Sequence, residues 1–150
     1  MTPVHLVLGV AVMALFSAAG LLGAWSWWQV RTSAWFWRIL RAAQVALAAQ
    51  VVLGGVLLAA GREPADGLHL VYGLLPVAVS FVAEQLRVAA AQTVLDAREL
   101  QDAEAVGRLP EAEQRSVVVA ILRRELGVMT LAALFIAGLA IRAGFLSSGL

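Results

Sequence analysis

The sequence predicts an all-α membrane protein: an up-down bundle of four transmembrane helices, with helices 3 and 4 extended as a cytoplasmic helical hairpin. Three observations predict it. Of 150 residues, 61% are hydrophobic and the mean hydropathy is +0.85, far above the roughly 45–50% apolar usage of soluble domains. Four apolar segments, about 3–28, 34–60, 67–89 and 116–146, each reach the ~20 residues needed to cross a bilayer. Short links between the first three make neighbouring helices antiparallel. A chain of this length is expected to form one domain, 1–150.

The first segment exceeds a signal-peptide core of roughly 7–15 residues, and no basic residue precedes it. It is expected to be a retained span. The link "QVRTS" follows, in which Ser33 suits the N-cap of the second helix. The second segment carries Gln44 and Gln50, suited to hydrogen bonds between helices. It ends in "GREPADG", whose Gly, Pro and Asp form turns.

The third segment carries His69 near its start, Tyr72, Pro76 and Glu84. Pro76 is expected to kink it. Glu84 is expected to pair with Arg38 or Arg41 in a structural ion pair. The next link, "RVAAAQTVLDARELQDAEAVG", has high helix propensity and no internal Pro or Gly. Pro110, Glu111 and Glu113 then suit a new helix start. The expected hairpin turns near Gly107–Pro110, over about 90–115. Val88, Ala91, Val94 and Leu95 would face Val118, Ile121 and Leu122. Such a hairpin is either a solvated stalk or a docking surface for a second copy or a respiratory-complex partner.

Arginine placement sets the expected orientation. Arg31, Arg38, Arg41, Arg87, Arg98, Arg108, Arg115, Arg123 and Arg124 fall on one side, and only Arg62 and Arg142 on the other. Basic residues favour the cytoplasm, which puts both termini outside it in the plasma membrane. Trp25, Trp27, Trp28, Trp35 and Trp37 surround the first link, where an aromatic belt would sit at the inner interface. Cysteine is absent, which excludes disulfides, thiolate metal sites and thiol redox chemistry. A net charge of +1 gives no case for nucleic acid.

The two histidines open near-matching stretches, "HLVLG" at 5–9 and "HLVYG" at 69–73. Under the expected topology both lie at one depth near the outer face, on diagonal helices. Two facing imidazoles suit bis-histidine haem ligation. Gly9 and Gly73 lie four residues below their histidines on the same helix face. With Gly54 and Gly55 on the second helix and Gly138 on the fourth, they would thin the bundle for a flat macrocycle. Arg62 and Arg142 would meet its propionates, and Gln50 lies near the same depth. The ordinary alternatives are interfacial histidines, packing glycines and snorkelling arginines. Two histidines without a nearby carboxylate are too few for a closed zinc site.

The stretch "AQVVLGGVLLAAGREPADGLHLVYGLLP" resembles the heme A synthase family. The similarity rests on Gln50, Leu53, Gly54, Gly55 and His69, with His5 about as far upstream as the family's partner ligand, and covers roughly residues 1–80. Members usually hold two four-helix halves, and compact single-half forms are associated with the family. The chain has Thr2 and Leu6 where the family places a glutamate and an arginine, and it lacks the cysteine pair of many members. The resemblance therefore implies haem b binding more than haem-methyl oxidation, and leaves an enzymatic role undecided. The expected function is an integral membrane haem b-binding protein, one haem per chain, that transfers electrons or handles haem. Its alternatives are a cofactor-free membrane scaffold or accessory subunit acting through the hairpin, and a transient copper-binding protein.

Overall fold

The computed structural model describes residues 3–62 and 67–148. These form helices α1 (Pro3–Trp28), α2 (Ala34–Ala59), α3 (Leu68–Asp96), α4 (Ala103–Gly107) and α5 (Glu111–Ser148), with no strand among the described residues. α1, α2, α3 and α5 are each long and apolar enough to cross a membrane. Thr2, Pro64 and Asp66, which carry the departure at the N-terminus and part of the second turn, lie outside the described residues.

The helices begin where the sequence offers capping groups. Ser33 Oγ accepts the Phe36 backbone N–H at 3.3 Å and opens α2. Asp102 Oδ1 accepts from Ala105 N at 2.7 Å and opens α4. Pro110 precedes α5, where its missing N–H leaves nothing unpaired.

α1, α2 and α3 share one kind of ending. Arg31 N donates to Ser26 O, Arg62 N to Leu57 O and Leu100 N to Leu95 O, each at 3.0 Å. Each closure reaches five residues back and brackets a residue of positive φ: Val30 (53°), Gly61 (77°) and Glu99 (57°). This is the Schellman ending, which satisfies carbonyls the last turn leaves unpaired.

The third link departs from the expected continuous helix to Gly107. α3 does outrun 89, and α5 starts before 116, but α3 stops at Asp96 with Glu99 in the left-handed region. Arg98 Nη2 donates to Ser116 Oγ at 3.0 Å, and Gln114 Nε2 donates to Gly107 O and Leu109 O at 3.1 and 2.8 Å. These bonds fold the link against the start of α5. Of the residues expected in the facing sets, Val94 is buried and Ala91, Leu95, Ile121 and Leu122 are half-buried, whereas Val88 and Val118 are exposed; Ala90 and Val117 are buried beside them.

α1 packs on both α2 and α5, and α3 packs on α5, while the α2–α3 seam is sparse. Phe16, Phe36, Leu40, Met129 and Ile136 fill the core between α1, α2 and α5. Small residues set the close approaches. A methyl group on Gly23 would lie within 3 Å of Thr130 Oγ1 and the Phe36 ring. In lipid, helices associate through such packing and polar contacts, because tails are as apolar as the helices.

Candidate functional site

Pro3 and Leu68 start α1 and α3, so His5 and His69 lie in the first turns of two helices with no direct mutual packing elsewhere of note. The structure brings the two together. Their ring centres are 6.0 Å apart and their planes are tilted by 53°. His5 is buried, at 8% exposure, and His69 is half-buried.

α2 supplies a third group. Gln50 Nε2 lies 3.2 Å from His5 Nε2. An amide nitrogen only donates, so in this arrangement the ring nitrogen accepts and the ring proton resides on Nδ1. Gln50 Oε1 is buried with no hydrogen-bond partner among the described residues, a costly state for a polar atom.

The glycines divide into two groups. A Cβ on Gly9 would lie 3.3 Å from Gln50 Nε2, and one on Gly54 would lie 3.5 Å from His5 Cε1. These two allow α2 and its glutamine to reach His5. Gly55, Gly73 and Gly138 have no such neighbour within 4 Å. Gly73 is half-buried beneath His69, whereas Gly55 and Gly138 are exposed. Arg62 and Arg142 are also exposed, and no side-chain hydrogen bond or ion pair holds either among the described residues. Tyr72 is half-buried. Among the described residues, no three His, Asp or Glu groups gather at metal-binding distance, so the histidine pair offers two donors.

A second polar cluster lies in the α2–α3 seam toward the tryptophans. Arg41 Nη1 donates to Glu84 Oε1 and to Gln44 Oε1. Gln44 Nε2 donates to Ser80 Oγ at 3.1 Å and to Glu84 Oε1 at 3.0 Å. Arg87 Nε donates to Glu84 Oε2 at 3.0 Å, and Arg87 Nη1 lies 3.9 Å from Glu125 on α5. The expected pairing of Glu84 thus holds for Arg41. Arg38 instead stacks on Trp35, 5.2 Å from its ring centre. Sequence reasoning missed Ser80 and Arg87. Both were legible: Ser80, Glu84 and Arg87 recur at i, i+4 and i+7, one polar stripe on an apolar helix.

Comparison with protein-family models, curated proteins and solved structures finds no match. The chemistry of the site therefore rests on these side chains. Two imidazoles and an amide can hold a metal centre, pass a proton or bridge helices by hydrogen bonds.

Proposed function

We propose that the chain is an integral membrane haem b-binding protein, an up-down four-helix bundle in which His5 and His69 would hold the haem iron. The observation that carries this reading is the approach of the two imidazoles to 6.0 Å between ring centres. A metal joined to one nitrogen of each ring would hold the centres about 6 Å apart, given metal–nitrogen bonds of about 2.0–2.1 Å. The room at Gly73, where a Cβ would meet no atom within 4 Å, and the buried Gln50 Oε1, with no hydrogen-bond partner among the described residues, support the same reading. Iron in such a site supplies reversible one-electron transfer.

The residues divide the work. His5 and His69 bind. Gln50 lies against His5 Nε2 and would be the polar neighbour of the bound group. Arg62 and Arg142, with exposed side chains in no ion pair among the described residues, are the cations for carboxylates at the rim. The nine-to-two arginine bias supports a plasma-membrane protein with both termini outside and the 97–110 connection in the cytoplasm. The resemblance to heme A synthases supports haem handling, with electron transfer as the simpler role.

The visible spectrum of the detergent-purified protein tests this, with and without dithionite. A Soret band and a sharp reduced α-band are expected, and His5→Ala and His69→Ala should each abolish the low-spin signal. A colourless protein after haem supplementation sinks the proposal and leaves the cofactor-free scaffold. Low-spin haem retained in both variants overturns the ligand assignment.

A further inference from the structure

The seam between α2 and α3 contains an open cavity of about 310 Å³ whose lining includes Arg41, Gln44, Leu47, Ala48, Ser80 and Glu84. That is within the range of small-molecule sites, roughly 300–1,000 Å³. It lies where helix packing is sparse, between two helices long and apolar enough to span a bilayer.

The lining is ordered from polar to apolar along the helices. Arg41 and Gln44 precede Leu47 and Ala48 on α2, and Glu84 and Ser80 lie opposite on antiparallel α3, followed by Val77. The polar end faces the tryptophans, where Arg87 stacks over Trp37 at 5.8 Å from its ring centre. Tryptophans gather at headgroup depth. A bilayer lipid has this same polarity, head at the belt and chain toward the middle.

Hydrogen-bond accounting narrows the head. Both Glu84 oxygens already accept, Oε1 from Arg41 and Gln44, and Oε2 from Arg41 and Arg87. Gln44 Oε1 accepts from Arg41, and Gln44 Nε2 donates twice. The charged groups leave donors over: Nε–H and one Nη2–H of Arg41, with the Ser80 hydroxyl proton beside them, none engaged among the described residues, while the acceptors left are one lone pair each on the neutral Gln44 Oε1 and Ser80 Oγ. A head with a phosphate acceptor fits those donors. A cationic head group gains no partner here, because the seam's carboxylate, Glu84, already pairs with both Arg41 and Arg87.

We propose that this seam binds one phosphatidylglycerol-type lipid, its phosphate on Arg41 and its chain along Leu47, Ala48 and Val77. The cavity stands apart from the histidine pair, so this binding does not depend on the haem reading.

Native mass spectrometry of the detergent-purified protein tests it, with dioleoyl-phosphatidylglycerol and dioleoyl-phosphatidylcholine titrated separately. One phosphatidylglycerol per chain should survive activation that strips phosphatidylcholine. Arg41→Gln should weaken its retention about tenfold, the scale of one charge-assisted hydrogen bond. Ala48→Trp fills the apolar end without touching the polar cluster, and should weaken retention similarly while the helical circular dichroism stays unchanged. Equal retention of both lipids, or Ala48→Trp retaining phosphatidylglycerol as the parent does, overturns the proposal. A dimer that Ala48→Trp abolishes, with no retained lipid, also overturns it and assigns the seam to a second copy.

Discussion

Val30 and Glu99 hold backbone conformations that suit glycine, yet neither position is glycine. Each ends a helix through the same closure that Gly61 makes at the end of α2. At Gly61 the sequence announces the turn, because only glycine enters that region without a Cβ clash. Val30 is the harder case, since a β-branched side chain at positive φ is an outlier. It is held there because Val30 N donates to Trp27 O at 3.2 Å and Arg31 N to Ser26 O at 3.0 Å. The left-handed conformation costs an L-residue roughly 1–2 kcal/mol, whereas glycine adds about 0.5–1 kcal/mol of chain entropy to the folding cost. Val30→Gly should therefore stabilise the protein by about 0.5–1 kcal/mol. A higher unfolding midpoint in detergent is the expected result, and a lower one would show that the valine side chain matters more than its backbone strain.

The sparse α2–α3 seam holds a cluster of side-chain hydrogen bonds between the two helices. Glu84 is the hub, accepting from Arg41, Gln44 and Arg87. Glu84→Gln keeps the shape but removes the charge, leaving Arg41 without its carboxylate and Arg87 with only Glu125. The side chain is 25% exposed, so solvent screens part of the loss. A destabilisation of about 1–2 kcal/mol follows, below the upper range for charged hydrogen bonds. Arg124→Gln, at an exposed position with no ion pair among the described residues, should leave the unfolding midpoint unchanged. The bounds of α1 and α2 were legible within a residue because Ser33 caps one helix and the "QVRTS" break ends the other. The end of α3 was not. The residues around 96–100 are good helix formers, and the stop depends on Glu99 adopting positive φ, which no Gly or Pro signals. The approach of the histidines followed from alternating helix direction. The Gln50–His5 contact did not, because helix rotation decides which polar group points across, and Gly9 and Gly54 set that spacing through bulk they lack.

Seen whole, the molecule turns its apolar side chains outward. Val7, Leu21, Val45, Val52, Phe81, Leu131 and Phe135 are all exposed along the four long helices. Such outward-facing apolar side chains fit helices bathed in lipid. Orientation then depends on the arginines. Nine flank the 28–34 and 96–111 connections or the helix ends beside them, and two flank the opposite ends. An excess of Lys and Arg holds short loops in the cytoplasm, so both of those connections should face inward and the 60–67 turn outward. The chain contains no cysteine, which makes single-cysteine labelling unambiguous. Thr32→Cys, Ala60→Cys and Gln101→Cys replace exposed residues outside the helices. In intact cells, a membrane-impermeant maleimide should label position 60 alone. Positions 32 and 101 should react only after permeabilisation. Labelling of 32 and 101 with protection of 60 would invert the topology and place the histidine pair on the cytoplasmic side. Matching reactivity at 32 and 60 would break the two-sided arrangement, since α2 would then not cross the bilayer.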